Sequence, residues 1–124
     1  MNIESIVDIF LIGIKKFILS GHRNQWIQNK YGKIYVRKSF RNINGRATTT
    51  FDIASVEINE KYRRMGICSS LILAIHETHK LEATFVESVS NNHLHSWLMK
   101  NKWECKPQFI AADDIQISDF WLKK

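Results

Sequence analysis

The sequence predicts an α/β domain with a mixed sheet of about five to six strands and helices packed on its faces. Three observations support this: an apolar helix-like segment comes first, strand-like and helix-like segments then alternate, and Asn44-Gly45 separates two strand-like runs. An Asn-Gly pair between such runs is the strongest short-range sign of a β-hairpin. Because 124 residues can bury a sizeable core but not two, we expect residues 1–124 to form one domain.

The first half of the chain predicts two helices followed by a hairpin. Apolar residues recur at helical spacing over residues 3–19, with Asn2 in place to cap the helix. Residues 22–29 are predicted to form a second, short helix. The two strands of the hairpin are expected at residues 33–41 and 46–58.

The second half predicts strands and helices in alternation, which is typical of a sheet covered by helices. A helix is expected from about residue 67 to 80, because apolar residues there share one face, and a strand over residues 83–89. Another helix is expected after Asn91. Two short strands then close the domain, at residues 109–111 and 115–117 on either side of Asp113 and Asp114.

The main candidate site is the basic turn between the strand 46–58 and the following helix, Lys61-Tyr-Arg-Arg-Met-Gly-Ile-Cys-Ser69. The first N–H groups of a helix have no intrahelical partner, and the helix dipole adds positive charge there. Gly66 lets the backbone approach a phosphate closely, while Arg63 and Arg64 add formal charge and bidentate donors. The sequence therefore predicts that this turn binds the pyrophosphate of a nucleotide-bearing cofactor.

At this turn the chain resembles the GNAT superfamily of N-acetyltransferases, which use acetyl-CoA. The family's loop has Arg or Gln, two residues, Gly, one residue, then Gly or Ala, and Cys68 replaces the last of these here. The resemblance covers about residues 32–105, and Asn91 and Trp103 also match the family's pattern. Leu98 stands where the family usually has a Tyr, and Lys102 where it has a Gly.

The resemblance implies a GNAT-like fold without the family's first strand, which has no counterpart before Asn2. It also implies transfer of an acetyl group from acetyl-CoA to a primary amine, by direct attack in a ternary complex. The acceptor stays open among a protein lysine, a protein N-terminus, aminoacyl-tRNA and a small amine. By this resemblance and the helix-start argument, the residues expected to bind acetyl-CoA are Val56, Glu57, Ile58, Arg63, Arg64, Met65, Gly66, Ile67, Cys68, Ser69 and Asn91.

Two carboxylates are candidates for the general base, Asp52 and Glu57, with a slight preference for Asp52. In a regular strand they face opposite sides, so both can serve one pocket only if the strand is bulged. Because Leu98 replaces the usual acid, Tyr62, His93 and His95 are conceivable substitutes. A thiolate is also a tolerable leaving group without a positioned acid.

Two further functions are open beside acetyl transfer. The net charge of +6 favours an anionic partner, whether CoA, an acidic protein surface or nucleic acid. The chain is therefore alternatively a basic nucleic-acid-binding module whose phosphate turn binds the nucleic-acid backbone. The replacement of the family's Tyr by Leu98 and the missing first strand leave a third function open, that of an acyl-CoA-binding regulator or inhibitor without efficient catalysis. Of four tryptophans at irregular intervals, most are expected in the core rather than stacked on bases.

The two cysteines and the apolar N-terminal helix bear on the compartment. Cys68 and Cys105 are far apart in sequence, so neither a disulfide framework nor a metal site is expected, and a reducing cytoplasm fits. The apolar run 6–14 is too short to span a membrane and is interrupted by Asp8. We expect this helix to cover the core, or to meet a second copy in a homodimer.

Overall fold

A computed structural model describes residues 2–109 and 116–124. It contains three α-helices and six strands, with a single 3₁₀ turn at Glu60–Tyr62 in this part of the chain. The helices are α1 (Ile3–Leu19), α2 (Ile67–Thr78) and α3 (Asn92–Lys100). The strands are β1 (Asn24–Asn29), β2 (Gly32–Ile43), β3 (Arg46–Ile58), β4 (Ala83–Val89), β5 (Glu104–Phe109) and β6 (Gln116–Lys123).

The six strands form one mixed sheet in the order β1-β2-β3-β4-β6-β5. Only β3 and β4 are parallel, and the other neighbouring strands described are antiparallel. A parallel pair requires a crossover connection, which α2 supplies. The mixed α/β sheet expected from the sequence is therefore confirmed.

The described helices all pack on one side of the sheet, here named the helix face. Phe17 of α1 meets Phe51 of β3 edge to face, at 5.8 Å between ring centroids. Helix α2 packs against α1, and His95 of α3 meets Phe120 of β6 at 4.9 Å. The opposite side, named the open face, is covered by no helix among residues 2–109 and 116–124.

Helix α1 forms as predicted because one stripe of it is apolar and its start is capped. Ile6, Phe10, Ile14 and Phe17 recur every three or four residues and are fully buried. The Asn2 side chain accepts a hydrogen bond from Ser5 N at 2.9 Å. The helix therefore closes the core over the helix face.

The short helix predicted over residues 22–29 is wrong, because strand β1 occupies this segment. All six of its residues pair with β2, from Asn24 opposite Arg37 to Asn29 opposite Gly32. Six residues give a helix fewer than two turns, whereas the same residues gain a complete ladder as an edge strand. The type of this element depends on its partner strand and not on its own pattern.

The hairpin between β2 and β3 is confirmed at Asn44-Gly45. Both residues have positive φ, 53° and 82°, as the primed two-residue turn requires. The two closing strands extend further than the predicted ranges 109–111 and 115–117, since β5 already begins at Glu104 and β6 ends at Lys123. Residues 110, 111 and 115 of the predicted strands, and Asp113 and Asp114 between them, lie outside the described residues. None of the described helices is long and apolar enough to cross a membrane.

Candidate functional site

A cleft opens where the two parallel strands part. Strands β3 and β4 pair only from Thr50 opposite Ala83 to Ile53 opposite Val86, and then diverge. The resulting space has a volume of about 980 Å³. Its walls are the second half of β3, the basic turn, the end of β4 and the start of α3, at residues 53–58, 62–64, 66–69, 86–91, 93, 94 and 97.

A β-bulge in each strand lies at the point where they part. In β3 the register shifts so that Ala54 is an extra residue between Ile53 and Ser55. In β4 the register with β6 shifts after Val86, and Ser88 has a φ of 52°. Bulges bend a strand and increase its local twist. Two of them at one level explain why the strands separate here.

The bulge at Ala54 also decides which side chains share a face. Asp52 is paired with Arg37, and Glu57 with Lys33, two β2 residues on the open face. Directly opposed residues project to the same face. Asp52 and Glu57 therefore both project to the open face, which is the bulged alternative that the sequence left open.

The N-terminus of α2 faces the wide end of the cleft with N–H groups that have no hydrogen-bond partner in the described part of the chain. Gly66 is the N-cap residue, with a φ of 80°. As a glycine it has no side chain that could accept hydrogen bonds from the first N–H groups of the helix. The first helical backbone bond runs from Ser70 N to Gly66 O at 3.1 Å, so the N–H groups of residues 67–69 precede it. A Cβ added at Gly66 would meet only the Ile3 side chain, at 4.0 Å. These N–H groups form a cradle that suits a phosphate.

The two arginines of the turn differ in their contacts. Arg63 Nε donates to the carbonyl oxygen of Ile58 at 2.7 Å, which ties the turn to the end of β3. Arg64 is exposed, with a φ of 65°. Arg64 is thus the freer of the two to meet an anion, while Arg63 also fixes the shape of the turn.

The backbone of β3 presents alternate residues to the cleft. Asn59 N donates to Tyr31 O at 2.8 Å, and the carbonyl of Glu57 points at Gly32, so both residues turn toward the β2 side. By alternation, the backbone groups of Val56 and Ile58 turn toward the cleft. Since β4 has already diverged there, these groups have no strand partner on that side.

Every residue expected to bind acetyl-CoA lines the cleft except Met65. Asn91 does so, but its side-chain oxygen accepts from Leu94 N at 3.0 Å and thereby caps α3. Ser69 Oγ donates to Gly66 O at 3.2 Å. Burial raises the pKa of the Cys68 thiol to about 11, so this thiol is protonated at neutral pH.

The two expected bases lie in different surroundings. Asp52 has no exposed surface and does not line the cleft. Its carboxylate accepts from Thr50 Oγ1 at 2.6 Å and from Arg41 Nη2 at 2.9 Å, and lies 3.7 Å from Arg37 Nε. Glu57 lines the cleft, with a largely exposed side chain 3.6 Å from Lys33 Nζ.

A second carboxylate in the cleft, beside Glu57, was not predicted from the sequence. Glu87 of β4 lines the cleft and accepts hydrogen bonds from Arg37 and Arg41. The sequence contained one indication of a carboxylate partner here: Arg37 and Arg41 are four residues apart in β2 and therefore project from the same face of the strand. What they pair with depends on β3 and β4 lying beside them in the sheet.

Among the residues considered as acids, Tyr62 and His93 line the cleft and His95 does not. His95 Nε2 instead lies 3.3 Å from Ser118 Oγ. Leu98, at the family's Tyr position, is fully buried in the core. In the described part of the chain, no three His, Cys, Asp or Glu side chains are grouped as metal ligands.

Comparison with known proteins agrees with this geometry. No protein-family model matches the sequence, and no curated protein matches it. Its structure is similar to Arabidopsis thaliana NAA60 in complex with a bisubstrate analogue, at 12% identity and a TM-score of 0.50, over 97% of this chain and 91% of that one. Other similar structures are Arabidopsis thaliana Naa50 in complex with the bisubstrate analogue CoA-Ac-MVNAL (13% identity, 94% and 93% coverage, TM-score 0.47) and Ard1 from Thermoplasma volcanium (14%, 76% and 70%, 0.41).

NAA60 is a GNAT N-acetyltransferase, and the similarity to it extends over nearly the whole of both chains. The sequence resemblance depended on the turn at residues 63–68 and on Asn91 and Trp103, and the structure places that turn between β3 and α2, beside the point where the two parallel strands part. This chain has the fold of the GNAT N-acetyltransferases.

Proposed function

We propose that this protein is an N-acetyltransferase that transfers the acetyl group of acetyl-CoA to a primary amine in a ternary complex. The supporting observation is the β3–β4 cleft, which ends at the unused N–H groups of α2. A cleft of about 980 Å³ between two parting strands, with an anion cradle at its wide end, suits a ligand with a pyrophosphate and an extended arm. The bisubstrate analogue bound to NAA60 is consistent with a site that holds two substrates together.

In this proposal the pyrophosphate lies against the N–H groups of residues 67–69 and Arg64. The pantetheine arm runs along β3, where the backbone groups of Val56 and the N–H of Ile58 can bond its amides, while the Ile58 carbonyl oxygen is already bonded to Arg63. The arm carries the thioester toward the narrow end of the cleft. Preorganised donors of this kind typically contribute roughly 3 kcal/mol to catalysis when they bind the developing oxyanion.

A second candidate, an acyl-CoA-binding regulator without efficient transfer, is favoured by one observation. Leu98 stands at the position of the family's acid, and a leucine side chain has no proton to donate. It is also buried in the core and does not line the cleft. The acceptor is a protein lysine, a protein N-terminus, aminoacyl-tRNA or a small amine in the first candidate, and is absent in the second.

Calorimetric titration with acetyl-CoA and with CoA tests the shared cofactor site. We expect Arg64→Ala to weaken binding about tenfold, because one charge-assisted contact is lost. Gly66→Val should weaken it further, since a branched side chain would stand where the phosphate approaches. Gly21→Ala is the control, because a Cβ there would meet nothing within 4 Å. Wild-type protein that binds neither ligand, or variants that bind as well as wild type, would contradict the proposal.

Acetyl turnover then separates the two candidates. Wild-type protein is incubated with acetyl-CoA and poly-L-lysine, a peptide with a free N-terminus, or aminoacyl-tRNA, and released CoA is measured. Turnover with one of these acceptors supports the transferase. Binding of acetyl-CoA without turnover on any of them supports the regulator.

A further inference from the structure

We infer that Glu87 accepts the proton of the attacking amine, and that Arg37, Arg41 and Asp52 hold its carboxylate in place. This inference rests on the proposed acetyl transfer and assigns its base. It replaces Asp52 and Glu57 in that role with a residue at a different point of the cleft.

The position of Glu87 along the cleft is the first argument. Glu87 directly follows Val86, the last residue of β4 that pairs with β3, and so lies where the cleft is narrowest. Glu57 lies next to Ile58, beside the phosphate turn at the wide end. An extended arm held at that turn would place its thioester nearer to Glu87 than to Glu57.

The face on which Glu87 projects is the second argument. Its contacts with Arg37 and Arg41 place its carboxylate on the open face, whereas the anion cradle belongs to a helix packed on the helix face. An acceptor therefore has an uncovered approach to the narrow end from the side opposite α2. Glu87 is the cleft carboxylate nearest that approach.

The two oxygens of Glu87 have different surroundings. Arg37 and Arg41 both donate to Oε1. Within residues 2–109 and 116–124, Oε2 receives no hydrogen bond. One oxygen is thus fixed while the other is left to meet an amine, and about a quarter of the side chain is exposed.

Asp52 acts as a positioning residue in this arrangement. It cannot touch an acceptor, because it is completely buried. Its carboxylate accepts a hydrogen bond from Arg41 and lies near Arg37. The two arginines, Asp52 and Glu87 therefore form a cluster with two positive and two negative charges. Without Asp52, Glu87 would face two cations alone, which disfavours its protonation and makes it a weaker base.

The proton transfer balances without another reactant. The neutral amine nitrogen forms a bond to the acetyl carbonyl carbon, and the carbon–sulfur bond breaks. CoA leaves as a thiolate, and the extra proton on the nitrogen passes to Oε2 of Glu87. Release of that proton to the thiolate or to water restores the carboxylate.

The test compares Glu87→Gln with wild type for acetyl-CoA affinity and for kcat on the three acceptors named above. We expect kcat to fall about 100-fold, the lower range for loss of a general base, with acetyl-CoA affinity within twofold. Glu87→Asp keeps the charge and is the second variant in case the first does not fold. It should retain more turnover than the Gln variant but less than wild type, because its carboxylate is set back by one methylene group from the position of Oε2. Glu82→Gln is the matched control, because Glu82 is an exposed carboxylate paired with Arg46 outside the cleft.

The outcomes distinguish a wrong assignment of the base from a wrong proposal of acetyl transfer. Turnover in Glu87→Gln above half that of wild type overturns the inference and leaves the transferase standing. If Glu87→Gln does not fold, wild-type turnover in Glu87→Asp overturns it equally. Wild-type protein with no turnover on any acceptor overturns both proposals.

The role of Asp52 has its own readout. In Asp52→Asn the acidic limb of the kcat/KM profile should move to lower pH, because the remaining cluster has a net positive charge. A purely structural role would lower stability or the amount of active protein without moving that limb. An unmoved limb in folded Asp52→Asn overturns the positioning role.

Discussion

Asp52 on β3 and Glu87 on β4 accept hydrogen bonds from the same guanidinium group, that of Arg41. Arg41 also lies over the Phe85 ring, with its central carbon 3.8 Å from the ring centroid. A fully buried carboxylate requires such partners, because desolvating a charge costs several kcal/mol unless it is paired and hydrogen-bonded. Arg41 therefore compensates Asp52 in the core and fixes Glu87 at the cleft.

Arg41→Ala should destabilise the protein by about 3 kcal/mol, since it leaves the carboxylate of Asp52 buried with much of its compensation removed. Urea unfolding at pH 7.5 measures this change. Arg46→Ala is the control, because the Arg46–Glu82 pair is 3.8 Å long and largely exposed. The control should change stability by about 0.5 kcal/mol or less. Equal losses of stability in Arg41→Ala and Arg46→Ala would contradict the role of Arg41 in compensating the buried charge of Asp52.

Gly32→Ala should lower the melting temperature by about 10 °C. A Cβ at this position would lie 2.2 Å from the carbonyl oxygen of Glu57, and Gly32 has a φ of 155°. The neighbour is backbone and cannot move aside without breaking the β2–β3 ladder. Gly21→Ala, which has open space around its Cβ, should melt like wild type. A Gly32→Ala variant with unchanged melting would show that the strands approach less closely.

The free energy of unfolding should fall as the pH drops below 6.5. His79 is buried, and this burial, with Lys124 and His76 nearby, lowers its pKa from 6.5 to about 3. Its Nδ1 accepts from Leu81 N at 3.1 Å, so the ring proton lies on Nε2, which donates to Thr84 Oγ1 at 2.6 Å. Protonation at Nδ1 would break the first of these bonds.

The direction of this pH dependence follows from the number of protons that the folded and unfolded states bind. Between pH 6.5 and 3 the unfolded chain binds a proton at His79 that the folded chain does not. Stability is thus complete above pH 6.5 and decreases by about 1.4 kcal/mol per unit below it, or about 2 kcal/mol by pH 5.0. Urea unfolding from pH 7.5 to 5.0 measures the slope. His79→Gln should flatten it and exposed His22→Gln should not; an unchanged slope in His79→Gln would contradict this origin.

Cys68 should react with iodoacetamide about 100-fold more slowly at pH 7.5 than a free cysteine does. Burial raises its pKa to about 11, and only the thiolate is nucleophilic. The rate should rise with pH up to about 11 and should become ordinary in urea. Peptide mapping by mass spectrometry separates Cys68 from Cys105. Fast labelling of the folded protein at neutral pH would show that the thiol is more accessible than the structure indicates.

The elements that could be predicted from the sequence are those whose signals are local. Helix α1 follows from the spacing of its apolar residues and its Asn2 cap, and the β2–β3 hairpin follows from Asn44-Gly45. The start of α2 just after Gly66 was likewise readable, because turn and capping chemistry depends on neighbours along the chain. The N–H groups left without an intrahelical partner at the start of α2 were predictable for the same reason.

Strand β1, the two bulges and the charge cluster of Arg37, Arg41, Asp52 and Glu87 depend instead on contacts between distant parts of the chain. Residues 24–29 become a strand because β2 offers a partner, and the bulges at Ala54 and Ser88 exist only relative to the strands beside them. Since one extra residue reverses which face a side chain takes, the sequence could not say whether Asp52 and Glu57 share a side. Glu87 meets Arg41 from 46 residues away along the chain. Such a contact is set by sheet order, which no local pattern encodes.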